Sequence, residues 1–168
     1  QTQRYDVDTS MVGDTTFYPA MFALATQAND TTAMMRWASL AVQYMPDDLR
    51  FLQARGVLLR NAGHNDSALV VYEHIVELDP SNLNSVIFVV QAHVEAFTVD
   101  STTPVDAEAL ASIEEELEDL LSASDNPGII TTVGGEYLKL AQKFGQAGNA
   151  WPTVIQYAER ALEHDPNG

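Results

Sequence analysis

Apolar residues return every three or four positions through most of the chain, which is the period of an amphipathic helix rather than the alternation of a strand. Phe17, Met21, Leu24 and Ala25 mark a first helix, and Asn29-Asp30-Thr31-Thr32 supplies a break and a cap for the next. Met34, Met35, Trp37, Ala38, Leu40, Ala41 and Tyr44 form a second, which should stop near Pro46 because proline lacks an N–H and disfavours helix in the residue before it. Leu49, Leu52, Gly56, Leu58 and Leu59 mark a third. Gly63 then stands where a left-handed C-terminal residue is wanted, and Asn65 or Asp66 caps a fourth helix carrying Ala68, Leu69, Tyr72, Ile75, Val76 and Leu78. Residues 1–14 hold Asp, Thr, Ser and Gly with no sustained period and read as an extended arm.

One phrase recurs. Glu77-Leu78-Asp79-Pro80-Ser81-Asn82 closes one helical run, Glu163-His164-Asp165-Pro166-Asn167-Gly168 closes another, and Gln43-Tyr44-Met45-Pro46-Asp47-Asp48 is a worn version. Pro46 and Pro80 lie 34 residues apart, the period of a helix-turn-helix repeat that stacks into a solenoid. Pro80 and Pro166 lie 86 apart, two periods plus 18, so the third unit is enlarged. Its helices are expected over Leu83 to Phe97 and Val105 to Leu121, both longer than those of the second hairpin. The polar loop Asp100-Ser101-Thr102-Thr103 joins them, Thr103-Pro104-Val105-Asp106 starts the second, and Asn126-Pro127-Gly128 ends the unit. In the last unit Ala141 is small, Phe144 aromatic and Gly148 the turn, and Trp151-Pro152 opens a helix carrying Val154, Ala158 and Ala161.

These residues resemble the tetratricopeptide repeat family. That family wants a small residue where its two helices cross, matched by Gly56, a second one early in the next helix, matched by Ala68, then an aromatic matched by Tyr72 and a terminal proline matched by Pro80. The likeness is closest over residues 49–82, continues over 133–168 and thins over 15–48, where Phe22 stands in place of the small residue. It implies an all-α, right-handed helical-hairpin solenoid of about four hairpins, with an arm over 1–14 and the repeat domain over 15–168. It also implies a non-catalytic scaffold binding a peptide or partner protein in a groove lined by the first helix of each hairpin. Arg55, Asn61, Asn84, Gln91, Glu95 and Lys139 are the groove candidates. Family members that grip a terminal carboxylate gather Lys, Arg and Asn there; this chain has only the lysines Lys139 and Lys143, so such a peptide is not expected.

Charge narrows the partners further. Eight Lys and Arg against 24 Asp and Glu give a net charge of −16, which repels nucleic acid and anionic lipid. Either a solvated acidic surface or a face for a basic partner or cations fits that excess. With no cysteine there is neither a disulfide framework nor a thiolate metal site. No apolar stretch reaches the length of a membrane span. A Gln start without an initiator Met or signal-peptide core suits an exported protein, whether extracellular, cell-surface or periplasmic, with the cytoplasm left open.

Chemistry is thin. His64, His74, His93 and His164 are scattered without metal-ligand spacing, and Gly134-Gly135 lacks the Lys-Ser/Thr of a phosphate loop, reading instead as a close helix crossing or a local break. The acidic run Glu114-Glu115-Glu116-Leu117-Glu118-Asp119 lies on one helix, which cannot converge its carboxylates on calcium as a turning loop does, and reads as a solvated face. Exchanging Glu115 and Glu118 for Gln should then alter association or salt response more than folding. No catalytic, cofactor or metal residues are assigned, and the chain is not expected to be an enzyme. Asn29 and Asn65 begin Asn-x-Ser/Thr sequences that serve either as plain caps or, in an exported chain, as glycan sites. A second functional class is a self-assembling subunit of an extracellular fibre or array, docking head to tail through Leu138, Ala141, Val154, Ala158 and Leu162 of the last hairpin.

Overall fold

The computed structural model describes residues 16–148 and 151–164; the expected arm over 1–14 and the closing residues 165–168, Pro166 among them, lie outside that range. Among the described residues eight α-helices follow one another: α1 (Phe17–Gln27), α2 (Thr31–Tyr44), α3 (Leu49–Asn61), α4 (Asn65–Leu78), α5 (Leu83–Ala96), α6 (Ala107–Ala123), α7 (Pro127–Ala147) and α8 (Trp151–His164). Among the described residues there is no strand, so the protein is all-α as its periodicity predicts. The chain divides into two compact units, Gln1–Asn82 and Leu83–Gly168.

In the first unit, short side chains end and restart each helix. Asn29 takes a left-handed φ of 51°, a conformation asparagine tolerates better than most residues, and Asp30 then accepts the Ala33 N–H at 2.9 Å to cap α2. Asp48 caps α3 by accepting the Arg50 N–H at 3.0 Å, and the Arg50 guanidinium folds back onto the same carboxylate at 2.7 Å. Asp79 accepts both the backbone N–H of Ser81 at 3.1 Å and its hydroxyl at 2.6 Å, which is what the Asp79-Pro80-Ser81 phrase does at this turn. Gly63 is left-handed at φ 78°, as expected. The cap of α4 is nevertheless His64, without a side-chain hydrogen bond, and not Asn65 or Asp66. Because the Gly63 and His64 N–H groups already satisfy the Arg60 and Leu59 carbonyls, the chain enters α4 at once and Asn65 and Asp66 fall in its first turn.

Aromatic residues fill the core of the first hairpin. Phe17 meets Trp37 edge-on at 5.6 Å, and Phe22 meets Phe51 edge-on at 5.9 Å, so the bulky residue at position 22 has a partner where the repeat pattern places a small one. The second hairpin crosses closely at small residues. A Cβ on Gly56 would stand 3.0 Å from the Tyr72 ring, and Ala68 is wholly buried. Gly56→Leu is therefore expected to destabilise the protein by about 1–3 kcal/mol through overpacking. An unchanged chemical-denaturation midpoint would remove the close crossing from the account.

The second unit holds α5 to α8 around a core that includes Val90, Val94, Leu117, Val133, Tyr137 and Leu140. Of the two third-unit helices expected to be long, only α6 is: it has 17 residues, whereas α5 has 14, the same as α4. α5 ends at Ala96, and Asp100 gathers the Thr102 and Thr103 hydroxyls into a self-contained polar loop. α6 begins later than expected, capped by Asp106 on the Ala109 N–H at 3.0 Å, which leaves Val105 outside it. The largest share of length goes to α7, with 21 residues. Asn126 caps α7 on the Gly128 N–H at 2.9 Å with Pro127 in its first turn, and the helix runs through Gly134-Gly135 without a break. Gly148 ends it with a left-handed φ of 74°.

Candidate partner-binding site

Every fourth or third residue along one stripe of α7 is polar: Thr132, Glu136, Lys139 and Lys143. Glu136 sits in the middle of that stripe and is only 3% exposed. Its Oε1 accepts the Lys139 ammonium at 2.9 Å and the Gln91 side-chain amide from α5 at 3.3 Å. Its Oε2 is buried without a hydrogen-bond partner. Farther along, the Lys143 ammonium donates to the Glu95 carbonyl at 3.0 Å, so α5 and α7 are tied twice across one face.

Three of the predicted groove residues, Gln91, Glu95 and Lys139, thus come together on this face of the second unit. Asn84 is exposed at the start of α5 and joins no polar contact with them. In the first unit Arg55 is half-buried on α3 with its Nε buried and unpartnered, and Asn61 lines a cleft of about 520 Å³ with Thr31, Met35 and His64. Glu136 was missed because a glutamate in an acidic chain reads as solvated. The signal was present: Glu136 lies three residues after Val133 and four before Leu140, where the polar stripe of α7 borders its apolar one.

The acidic helix keeps Glu115, Glu118 and Asp119 exposed, as its composition suggested, but three of its carboxylates also hold contacts within the unit. The Tyr137 hydroxyl donates to Glu118 at 3.0 Å, the Tyr157 hydroxyl donates to Glu114 at 3.0 Å, and His93 Nδ1 lies 2.9 Å from Glu116. Arg160 donates to Glu118 at 3.1 Å and to the Tyr137 oxygen at 3.0 Å while lying over the Tyr137 ring. Glu114 and Glu118 share a helical face and both meet tyrosine hydroxyls, Glu114 half-buried and Glu118 at the exposed rim, while Glu115 and Asp119 are exposed on the rest of the helix. Exchanging Glu118 would remove the acceptor of the Tyr137 hydroxyl and of Arg160 as well as a surface charge.

Burial, and next the hydrogen bond to Glu118, hold Tyr137 well above the ordinary tyrosine range, at about 12; burial and then Glu114 push Tyr157 up as well. Raised folded-state values mean that the folded unit keeps these protons more tightly than the unfolded chain. The stabilisation is full below the unfolded value near 10 and is lost as pH rises through about 12. Of the six tyrosines, Tyr137 and Tyr157 are expected to ionise last in an ultraviolet titration, together with helix loss. Early, uncoupled ionisation at Tyr137→Phe-sensitive absorbance would contradict this.

The proposed assembly residues divide. Leu138 and Leu162 are exposed, at 42% and 59%, whereas Ala141 is buried and Val154 and Ala158 pack against the core. Ile155, 53% exposed and seven residues before Leu162 on α8, is an apolar surface residue the sequence reading did not single out. Asn29 and Asn65 are both exposed. Among the described residues no group of three His, Cys, Asp or Glu side chains could hold a metal, and no helix is long and apolar enough to cross a membrane.

No family model matches the chain, and no curated protein matches it. Among solved structures it is similar to the TPR2B domain of yeast Sti1 in a complex with pHsp70, at 12% identity over 89% of this chain and 96% of that one, with a TM-score of 0.41. It is also similar to the crystal structure of MamA protein, at 14% identity over 94% of each chain, with a TM-score of 0.44.

Proposed function

We propose that the chain is a non-catalytic interaction scaffold that holds a peptide or partner protein against the α5/α7 face of its second unit. The observation that carries this reading is the set of Gln91, Glu136 and Lys139, which concentrates buried and half-buried polar groups from two helices at one point. Polar groups so placed give orientation and specificity to a bound segment that the surrounding apolar surface alone would not. Selection of a displayed random peptide library on the intact chain, followed by amide-shift mapping, is expected to return ligands that perturb α5 and α7. Ligands that map elsewhere, or no enrichment, would defeat the reading.

A second reading is a self-assembling subunit, extracellular and glycosylated at Asn29 and Asn65. It is supported by Ile155 and Leu162, exposed on one face of α8, and by Leu138 on α7. Light scattering should then show concentration-dependent growth that a double Ile155→Lys, Leu162→Lys variant abolishes. A chain from its native source that is monomeric at high concentration and bears unmodified asparagines by mass spectrometry would exclude it.

A further inference from the structure

An ionised carboxylate oxygen with no partner, removed from water, is costly, and nearly all such atoms in folded proteins are satisfied. Glu136 Oε2 is in that position while Oε1 carries two donors. We propose that Glu136 is the receptor for a cationic side chain, arginine or lysine, of the bound partner segment, whose N–H group completes the hydrogen bonding of Oε2. This rests on the reading of α5 and α7 as a binding face and adds the chemistry of what it binds.

Three features favour a cation over a neutral donor. A charge-assisted hydrogen bond is about twice as strong as a neutral one, and an ionised glutamate is an acceptor only. The net charge of −16 draws basic groups toward the molecule and keeps acidic ones away. The existing contacts also leave room for a second cation: the Lys139 side chain is 43% exposed, and the neutral Gln91 amide reaches Glu136 only at 3.3 Å, near the outer limit of a hydrogen bond. An arriving guanidinium or ammonium can thus move Gln91 aside and share the carboxylate with Lys139.

The test uses the full chain and three capped tripeptides, acetyl-Gly-Arg-Gly-amide, acetyl-Gly-Lys-Gly-amide and acetyl-Gly-Glu-Gly-amide, titrated by amide chemical shift. The basic probes are expected to perturb α5 and α7 and the acidic probe to leave them unchanged. Glu136→Gln should weaken the arginine probe about tenfold, as loss of a charge-assisted bond does. Lys139→Ala should strengthen it by removing the competing cation, a gain that a purely structural Glu136 would not produce and that is read even if Glu136→Gln folds poorly. Asp66→Asn, at an exposed carboxylate of α4 in the first unit, should leave it unchanged.

Equal affinity in the wild type and Glu136→Gln, or shifts spread over the acidic α6, would overturn the proposal. If library-selected peptides map to α5 and α7 without needing a basic residue, the scaffold reading stands and the cation receptor falls. If they map elsewhere, both fall.

Discussion

Tyr137→Ala is expected to lower stability by about 3–5 kcal/mol, a large fraction of the roughly 5–15 kcal/mol by which domains are stable. Tyr137 is wholly buried, its ring stacks with Tyr157 at 6.1 Å and carries the Arg160 guanidinium at 5.2 Å. Truncation leaves a cavity in the core of the second unit and deprives Glu118 and Arg160 of the hydroxyl they share. Tyr137→Phe separates the two effects, because it retains the ring and removes only that hydroxyl, for about 1–2 kcal/mol. Urea unfolding followed by circular dichroism measures both. If the alanine variant lies within 1 kcal/mol of the wild type, the packing described around α7 and α8 is wrong.

In the first unit the corresponding variant is Trp37→Ala, with an expected loss of about 3–5 kcal/mol. Trp37 is 1% exposed, takes the edge of Phe17 and lies under the Arg36 guanidinium at 5.3 Å. Large-to-small replacement at such a site loses both transfer energy and the contacts of its lining, since the two short helices of this hairpin cannot collapse onto the void without moving Phe51 as well. Trp37→Phe should recover much of the loss. Amide exchange is the discriminating measurement: protection in α1 and α2 should fall in the alanine variant, and unchanged protection there would refute the assignment of Trp37 as the centre of that core.

What could be read from the sequence was what local chemistry decides. Asp30 caps a helix, Gly63 and Gly148 reverse the chain, and Gly56 lies at a close crossing, because each role depends on residues nearby or on the repeat spacing. The length of α7 was hidden by Gly134-Gly135, whose weak helix propensity is overridden by the buried neighbours Val133, Tyr137 and Leu140. The tie between Tyr137 and Glu118 spans two helices and has no periodic signature. Glu136 was obscured for the opposite reason: its position at the border of the apolar stripe was visible, but its charge argued for water.

The tyrosine ties to α6 also sort the molecule's negative charge into two kinds. Glu115 and Asp119 can drift to lysine, glutamine or serine over generations with little consequence inside the protein, so the surface charge they supply is open to adaptation toward a new medium. Glu114 and Glu118 cannot follow them freely, because each answers to a hydroxyl beneath it. A variant line moving from acidic to neutral character would therefore be expected to retain a minimal pair of carboxylates, one helical turn apart, as the fixed residue of an otherwise replaceable coat.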